Sequence, residues 1–288
     1  MIKKGMILSG GKGTRLGPLT KAVNKQLLPI YDKPLIFYAL SVLMLANIKE
    51  ILIIVNPEQK KSFFNILGNG RRFGIKINYE IQKKPNGLPE AFKIGAKFIG
   101  KDNVALILGD NFFYGQGLSD HLKKSETFLN GAMIFIKETN NPEKYGIVKL
   151  KNKKIFELVE KPKKYISNKA ITGIYYFDNK VIKYAKNLIP SKRDETEIVD
   201  LLKIYQKNGQ LKYQNIGRGA LWSDAGNPDD LSNISNYVYS YEKLELFKIA
   251  CLEEISFKKG WINKNQIKNN IKFYGACVYS DYLRKIIK

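Results

Sequence analysis

A glycine-rich segment near the start of the chain carries the residues best suited to phosphate chemistry. A short apolar run ends at Leu8, and residues 10–17 then read Gly-Gly-Lys-Gly-Thr-Arg-Leu-Gly. Because glycine has no Cβ, backbone N–H groups in such a loop can approach phosphate oxygens closely, and Arg15 can donate two parallel hydrogen bonds to one phosphate. The pattern is typical of a buried strand that leads into a loop for a triphosphate.

Two better-known phosphate-binding loops do not fit this spacing. A P-loop has Ser or Thr directly after Gly-Lys, but here Gly13 follows Lys12. A dinucleotide-binding fingerprint that began at Gly11 would need a small residue in place of Leu16. The alternative is a glycine-rich turn that binds no ligand. The arginine at position 15 favours the functional interpretation.

A second candidate for chemistry is Asp110, in the sequence Leu-Gly-Asp-Asn that ends a predicted strand over 104–108. Ligands of open α/β sheets bind beyond the carboxyl ends of the strands, so Asp110 should share a crevice with the glycine-rich loop. A carboxylate beside a triphosphate commonly holds Mg²⁺. The alternative is that Asp110 caps a helix, because residues 115–128 have a helical pattern.

The apolar pattern of the first half predicts alternating strands and helices. The predicted strands cover 51–55, 75–82 and 104–108, and the predicted helices cover 34–46, 57–67 and 87–98. The run at 51–55 is uninterrupted, as in a parallel strand that is covered on both faces. The alternation predicts an α/β fold with three layers, Rossmann-like, around a mixed and mostly parallel sheet.

Short strands predominate between residues 131 and 228. They are predicted over 132–137, 146–150, 155–159, 171–177, 211–216 and 221–223. No linker rich in Pro, Gly or Ser precedes them, so we expect this half to extend the first sheet. The strand over 221–223 should end the sheet and present a second carboxylate, Asp224. Residues 229–288 then form a helical extension, beyond one α/β domain over 1–228 with halves at about 1–130 and 131–228.

Composition argues against several classes of function. The formal net charge is +23, yet only six of the 49 basic residues are arginine, the residue that nucleic-acid readers favour. We therefore expect no specific nucleic-acid partner, although the charge should attract anionic substrates. No apolar run approaches the roughly 20 residues of a membrane span, and no signal-peptide pattern is present, so we expect a cytoplasmic protein.

Cysteine and histidine give no sign of a catalytic or metal site. Cys251 and Cys277 lack CxxC spacing and histidine companions, so neither a zinc site nor a disulfide framework is predicted. The single histidine, His121, lies in a stretch with helical pattern, and a histidine-based nucleophilic triad is not expected.

Five motifs follow one another along the chain. They are Gly10-Gly11-Lys12-Gly13-Thr14-Arg15, Lys25-Gln26-Leu27-Leu28-Pro29, Leu108-Gly109-Asp110-Asn111, Glu160-Lys161-Pro162 and Trp222-Ser223-Asp224-Ala225-Gly226. With them the chain resembles the glucose-1-phosphate thymidylyltransferase family from about Lys4 to Leu283. The resemblance implies a nucleotidyltransferase fold of GT-A-like type. It also implies an enzyme that makes dTDP-glucose and pyrophosphate from dTTP and glucose 1-phosphate, for deoxysugar (dTDP-rhamnose) biosynthesis.

The resemblance also implies three groups of site residues. The catalytic group is Arg15, Lys25, Asp110, Lys161 and Asp224, in which Asp110 and Asp224 hold Mg²⁺. The nucleotide-binding group, in the first half, is Leu8, Gly10, Gly11, Gly13, Thr14, Arg15, Gln26, Gln82, Pro85, Gly87 and Asp110. The sugar-phosphate group, largely in the second half, is Asn111, Tyr145, Gly146, Glu160, Lys161, Thr172, Arg193 and Trp222.

Only a few residues indicate which nucleotide and which sugar phosphate the enzyme uses. A carboxamide at Gln82 with a backbone group at Gly87 suits the donor and acceptor edge of thymine, but uracil presents the same edge. Enzymes that use UTP or an amino-sugar phosphate therefore remain alternatives, as does a non-catalytic sensor of nucleotide sugars. The chain departs from the family pattern at Ser9, at Pro89-Glu90 and on both sides of Asp224.

The family resemblance further implies a homotetramer, a dimer of dimers. A second nucleotide site between subunits would bind the end product, dTDP-rhamnose. We expect the helices after Leu231, with Gly219 nearby, to contribute to that site.

Overall fold

A nine-stranded sheet runs through the centre of the part of the chain that the computed structural model describes, residues 1–11, 13–191 and 194–288. The strands of the described chain are β1 (Lys4–Ser9), β2 (Pro29–Ile30), β3 (Lys33–Pro34), β4 (Glu50–Val55), β5 (Lys76–Ile81), β6 (Val104–Leu108), β7 (Phe112–Gly115), β8 (Ala132–Glu138), β9 (Gly146–Lys151), β10 (Lys154–Glu160), β11 (Lys169–Phe177), β12 (Leu211–Asn215) and β13 (Ala220–Ser223).

Helices cover both faces of the sheet and form the C-terminal part of the chain. They are α1 (Leu19–Ala22), α2 (Ile36–Leu45), α3 (Lys60–Leu67), α4 (Glu90–Ile94), α5 (Ala96–Ile99), α6 (Leu118–Leu122), α7 (Lys124–Thr127), α8 (Val181–Lys186), α9 (Ile198–Lys207), α10 (Pro228–Glu245), α11 (Leu252–Lys258), α12 (Lys264–Tyr274) and α13 (Val278–Ile286).

Four parallel strands of the first half form one side of the sheet. β1 lies between β4 and β6, and β5 pairs with the far side of β4, all in parallel register. The residues that follow these strands therefore meet at one edge of the sheet, so that Gly109 N donates to Leu8 O over 2.9 Å. The predicted α/β fold, with its mixed and mostly parallel sheet, is confirmed.

The second half continues the same sheet, as predicted. β11 pairs antiparallel with β6 and with β8, and the sheet runs on through β9 and β10 on one branch and β12 on the other. The register of β11 against β8 shifts between Ile171 and Tyr175. Gly173 lies in this irregularity, where a Cβ would come within 2.4 Å of Asn111 Oδ1. The glycine thus permits β11 to pass directly beneath Asn111.

One expectation around the second carboxylate was wrong. The strand over 221–223 does not end the main sheet, because β13 pairs antiparallel with β7 in a separate two-stranded ribbon. The helical pattern over 115–128 is confirmed for most of its length, since α6 and α7 cover Leu118–Leu122 and Lys124–Thr127, but it begins only after Gly117 because β7 precedes it. Pairing with a segment more than 100 residues away decides the structure here. Asp110 therefore does not cap a helix.

Two apolar layers enclose the sheet. On one face, α2 is buried along nearly its whole length and packs with Phe63 and Phe73. On the other face, Phe92, Phe177 and Tyr205 form the centre of the second layer. The uninterrupted apolar strand β4 lies between these layers, which is why it shows no alternation of polar and apolar residues.

The C-terminal helices are joined to the first half by buried charges. Glu242 of α10 accepts hydrogen bonds from Lys33 Nζ over 2.9 Å, from Lys248 Nζ over 3.0 Å and from Ile249 N over 2.9 Å. The side chains of Lys33, Glu242 and Lys248 are 2%, 4% and 7% exposed.

The division of the chain at residue 228 stays a prediction. No helix within the described ranges is both long and apolar enough to span a membrane.

The buried charge cluster leads to a stability prediction. Glu242→Gln should lower the free energy of unfolding by about 3 kcal/mol, because two buried ammonium groups would then share a single carboxylate, that of Asp32. Urea denaturation followed by circular dichroism measures the change. Glu245→Gln removes an exposed carboxylate from the same helix and should change the free energy by less than about 0.5 kcal/mol. Equal stabilities of the two variants would contradict the role assigned to Glu242.

Candidate active site

The glycine-rich loop is held by its own turn and by α1. Gly13 has a φ of +63°, and a Cβ at this position would lie 2.9 Å from Thr20 Cγ2. Thr20 Oγ1 donates to Gly13 O over 2.9 Å, and residues Thr14–Leu16 form a single 3₁₀ turn. Glycine at position 13 is therefore required both by backbone conformation and by the close approach of α1. The turn places Arg15 at the edge of the central crevice.

A buried lysine connects the two segments that carry the candidate carboxylates. Lys25 is 5% exposed, and its Nζ donates to Asp110 Oδ2 over 2.8 Å and to the Asp224 backbone oxygen over 3.2 Å. It begins a 3₁₀ turn that is capped by Asn24, whose Oδ1 accepts from Gln26 N over 2.9 Å. The lysine thus brings the segment after β6 and the segment after β13 to one point.

The ribbon of β7 and β13 brings Asp110 and Asp224 to the same place. Ser223 pairs with Phe112, so Asp224 lies just beyond the end of the ribbon at which Asn111 enters it. Asn111 Nδ2 donates to Asp110 Oδ1 over 2.9 Å, and Trp222 Nε1 donates to Asn111 Oδ1 over 2.7 Å. This chain of hydrogen bonds fixes the Asp110 carboxylate from the side opposite Lys25.

Asp224 is in an environment that disfavours its charge. Burial raises the pKa of its carboxyl group above the ordinary value, and the negative charge of Asp110 raises it further, whereas Lys25 and Arg15 act in the opposite direction. The Tyr145 hydroxyl donates to Asp224 Oδ1 over 3.5 Å. Two carboxylates crowded in this way favour a cation between them.

The carboxylates suit a divalent metal ion that a substrate would help to bind. Among the described residues, no group of three or more His, Cys, Asp or Glu side chains forms a complete metal site. Mg²⁺ is commonly held by one or two carboxylates together with water and substrate phosphates. The pair of Asp110 and Asp224 fits that pattern, because both residues line the same cavity beside Arg15.

The hairpin of β9 and β10 supplies the far wall of the crevice. Gly146 pairs directly with Glu160, and Lys161 N donates to Tyr145 O over 3.0 Å. A Cβ at Gly146 would lie 3.2 Å from Glu160 Oε2. The Tyr145 ring packs on Trp222 with the ring centres 4.9 Å apart. Four predicted sugar-phosphate residues therefore come from the two ends of one hairpin.

Most of the predicted catalytic and sugar-phosphate residues surround one cavity of about 260 Å³. The predicted residues that line it are Arg15, Gly87, Asp110, Asn111, Tyr145, Gly146, Glu160, Lys161, Thr172, Trp222 and Asp224. Lys25 lies next to this group through its bond to Asp110. Thr172 is 1% exposed and its Oγ1 donates to Phe135 O over 2.9 Å. Its hydroxyl proton is therefore used within the core rather than in the cavity.

The predicted nucleotide residues lie along the neighbouring edge. Gly11, Thr14 and Pro85 line a second cavity of about 510 Å³. Gln26 and Gln82 are both 3% exposed. Leu8 is the penultimate residue of β1, and a Cβ at Gly10 would lie 2.0 Å from Gln82 Oε1. The glycine at position 10 therefore makes room for the Gln82 carboxamide.

Two predicted positions cannot be compared with the structure. Lys12 of the loop and Arg193 of the sugar-phosphate group lie outside the described residues. The sequence prediction also missed several residues of the first cavity: Lys144, Glu195, Thr196 and Glu197. Lys144 could have been found because it directly precedes Tyr145-Gly146. The other three carry no local signal, since Thr196 reaches the site through a bridge to Gly87.

Comparison with known proteins gives consistent results. A family model described as nucleotidyl transferase matches residues 4–240. A glucose-1-phosphate thymidylyltransferase from Neisseria meningitidis serogroup A is 44% identical over 286 residues, which is 99% of each chain. Two solved structures are also similar. A Bacillus anthracis protein, provisionally assigned as a glucose-1-phosphate thymidylyltransferase and crystallised with sucrose, has a TM-score of 0.76 and 37% identity over 81% of this chain and 94% of its own. A UDP-glucose pyrophosphorylase complexed with UDP-glucose has a TM-score of 0.73 and 27% identity over 84% and 100%.

The electrostatics of Asp224 lead to a second prediction. Asp224→Asn should raise the melting temperature of the protein without ligand at pH 7, because the neutral amide avoids both the burial of charge and the repulsion from Asp110. A raised pKa means that the ionised form destabilises the folded state above that pKa. The increase in melting temperature should therefore vanish at pH values low enough to protonate the Asp224 carboxyl group in both the folded and the unfolded state.

Thermal unfolding at several pH values measures this effect. The control is Glu80→Gln, which removes an exposed carboxylate from β5. On a chain of net charge +23, loss of a carboxylate should otherwise be neutral or destabilising. A melting temperature of Asp224→Asn at or below that of Glu80→Gln at pH 7 would contradict the prediction.

Proposed function

Because the chain belongs to the nucleotidyl transferase family and is matched over nearly its full length by a glucose-1-phosphate thymidylyltransferase, we propose that the crevice between Arg15, Asp110 and Asp224 is its catalytic site. The enzyme transfers a deoxythymidylyl group from dTTP to glucose 1-phosphate. The products are dTDP-glucose and pyrophosphate. The observation that carries the proposal is the buried Lys25, which binds the Asp110 carboxylate and the backbone oxygen of Asp224 beside the glycine-rich loop.

The reaction requires positioning and neutralisation of charge rather than covalent catalysis. A phosphate oxygen of glucose 1-phosphate attacks the α-phosphorus of dTTP, and the bond from that phosphorus to the β-phosphate bridging oxygen breaks as pyrophosphate leaves. The N–H groups of the glycine-rich loop hold the triphosphate, and Arg15 stabilises its departing end. Lys25 neutralises charge near the α-phosphate. Lys161, with Arg193, holds the attacking phosphate.

Enzymes of this family typically use a divalent cation. We assign Mg²⁺ to Asp110 and Asp224, where it would neutralise the negative charge that the two substrates bring together. The Asn111 amide and the Tyr145 hydroxyl keep the two carboxylates oriented toward the crevice. Lys25 keeps them close together when no substrate is bound.

The nucleoside end of dTTP fits the edge formed by the loop and the end of β5. Gln82 presents a carboxamide beside Gly10, and the backbone of Gly87 lies on the same crevice. Gln26 Oε1 is buried and has no hydrogen-bond partner among the described residues. A buried acceptor of this kind suits a pentose hydroxyl, which would donate the missing hydrogen bond.

UTP is the second candidate nucleotide. Uracil presents the same edge to Gln82 as thymine, and the solved UDP-glucose pyrophosphorylase has a similar fold. Only the thymine methyl group and the absence of a 2′-hydroxyl separate the two substrates. Apolar contact with one methyl group contributes about 1 kcal/mol, so the preference for dTTP should be modest.

We also propose a cytoplasmic homotetramer in which the C-terminal helices mediate subunit contact and regulation by a product nucleotide. A cavity of about 280 Å³ lies between β7 and α11 and is lined by Tyr114, Gly115, Lys248 and Ala250, among others. Gly219 O accepts from Gln116 N over 2.9 Å directly beside β7. These contacts support the expectation that Gly219 and the region after Leu231 contribute to the same site.

Product identification tests the function directly. Purified protein mixed with Mg²⁺, glucose 1-phosphate and either dTTP or UTP should release pyrophosphate, and mass spectrometry should detect the nucleoside diphosphate glucose. We expect kcat/KM for UTP to be about tenfold lower than for dTTP. EDTA should abolish both reactions. Release of no pyrophosphate with any pyrimidine nucleotide would reject the catalytic proposal in favour of a nucleotide-sugar sensor.

A substitution at Asp110 tests the metal assignment. Asp110→Asn should lower kcat by at least about a thousandfold, because the amide is a far weaker ligand for a divalent cation and cannot balance the charge of Lys25. The melting temperature should fall, because the buried Lys25 loses its counter-charge, but circular dichroism at the assay temperature should show a folded protein. Asp102→Asn is the matched control, since Asp102 is an exposed carboxylate near the opposite end of β6, where it pairs with Lys4. Near-normal turnover of Asp110→Asn would contradict the assignment.

A further inference from the structure

Glu90, at the first turn of α4, makes contacts that neither the fold nor the catalytic proposal explains. Its Oε2 accepts hydrogen bonds from Gln82 Nε2 over 2.5 Å and from Asn86 N over 3.2 Å. Its Oε1 accepts from Asn86 Nδ2 over 3.0 Å. The carboxylate therefore holds the carboxamide at the end of β5 and the loop that follows it.

We propose that Glu90 is a positioning residue that selects thymine or uracil over cytosine by fixing the orientation of the Gln82 carboxamide. The inference rests on the proposed function, because it assumes that the pyrimidine ring is recognised at Gln82. It adds a determinant of the nucleotide class that acts through Gln82 and makes no contact with the base.

The chemistry of the two groups fixes the orientation. A carboxylate only accepts hydrogen bonds, so the NH₂ group of Gln82 must face Glu90. The amide oxygen then lies on the other side, over Gly10, where a Cβ would be 2.0 Å away. Turning the carboxamide by 180° would set its oxygen against the Glu90 carboxylate without a proton between them. That contact is repulsive, and the NH₂ group would lose a charge-assisted hydrogen bond.

The rest of the Gln82 residue has little freedom to compensate. Its backbone N donates to Val55 O over 2.9 Å, at the end of β4. The residue is 3% exposed, and it is confined by the glycine-rich loop on one side and by α4 on the other. The remaining freedom is rotation of the carboxamide, and Glu90 removes it. A neutral glutamine at position 90 would lack this effect, because its own carboxamide could turn to match either orientation.

The orientation decides which pyrimidine fits. Thymine and uracil offer a donor at N3 and an acceptor at O4, whereas cytosine offers an acceptor at N3 and a donor at N4. An amide oxygen directed at position 3 accepts from thymine but faces the N3 lone pair of cytosine. A carboxamide free to turn would accept both bases. A site that leaves buried polar groups unpaired with the wrong base discriminates strongly, so the restriction at Glu90 should be visible in selectivity.

Glu90 could instead serve only to hold the loop. Asn86 O accepts from Thr196 N over 2.9 Å and from Thr196 Oγ1 over 3.0 Å, so the loop also joins the two halves of the domain. Loss of Glu90 would then lower kcat/KM for all nucleotide substrates equally. The ratio of kcat/KM for dTTP to kcat/KM for dCTP separates the two roles, because a loosened loop would change both values in the same proportion.

The test uses Glu90→Gln in the full chain, with Mg²⁺ and glucose 1-phosphate. The ratio for dTTP over dCTP should fall by about tenfold or more, mostly through a higher KM for dTTP and a lower KM for dCTP. KM for glucose 1-phosphate should stay within about twofold. Glu90→Asp, which keeps an acceptor-only head group, should retain more of the ratio than Glu90→Gln. If Glu90→Gln does not fold, as judged by its melting temperature, Glu90→Asp is compared with Glu90→Ala instead. Glu90→Asp should then keep the higher ratio, and equal ratios would contradict the inference.

Two controls complete the experiment. Glu80→Gln removes an exposed carboxylate two residues before Gln82 and should leave the ratio unchanged. Asn86→Ala removes one loop contact of Glu90 and should change KM without changing the ratio. If Glu90→Gln keeps the wild-type ratio of kcat/KM for dTTP to kcat/KM for dCTP, the inference is overturned and the proposed function stays intact. Equal use of dTTP and dCTP by the wild type would overturn the Gln82 assignment and the inference together.

Discussion

The contact of the Lys25 ammonium with the Asp110 carboxylate and the Asp224 carbonyl oxygen is the interaction on which the site depends. Its partners lie 85 and 199 positions further along the chain. A lysine that is only 5% exposed needs such partners, because an unpaired buried charge is strongly destabilising. The segments after β6 and β13 therefore cannot move apart without loss of stability. Burial, and then the nearby charge of Asp110, raise the pKa of the Asp224 carboxyl group at this point.

This crowding relates stability to the proposed chemistry. In the absence of ligand, the chain keeps a carboxylate at a position where burial and Asp110 both oppose its charge. Lys25 and Arg15 act against this effect, and both are assigned to phosphate groups in the proposed mechanism. A divalent cation would relieve the repulsion and leave the two basic side chains to the substrates. The charges of the site are thus balanced only when both a cation and the anionic substrates are bound.

The two halves of the α/β domain meet through contacts that local sequence does not reveal. The bulged strand β11 passes beneath Asn111 at Gly173, and Gly87 forms an isolated bridge with Thr196. At Gly87 the φ angle is +100°, and a Cβ would lie 2.1 Å from Thr196 O. A glycine that looks like an ordinary turn residue is therefore required by close packing between halves. The loop that carries it also holds Asn86, one of the partners of Glu90.

The sequence by itself determined the layered α/β fold, the glycine-rich loop and the importance of Arg15 and Asp110, because these follow from local periodicity and from residues within one motif. Its resemblance to known enzymes added the family. The tertiary structure alone decided how Asp224 reaches Asp110, since β13 pairs with β7 outside the main sheet. It also decided that Thr196 lies in the crevice and that Glu90 binds Gln82. Pairing between distant segments depends on packing of the whole chain, and no local pattern records it.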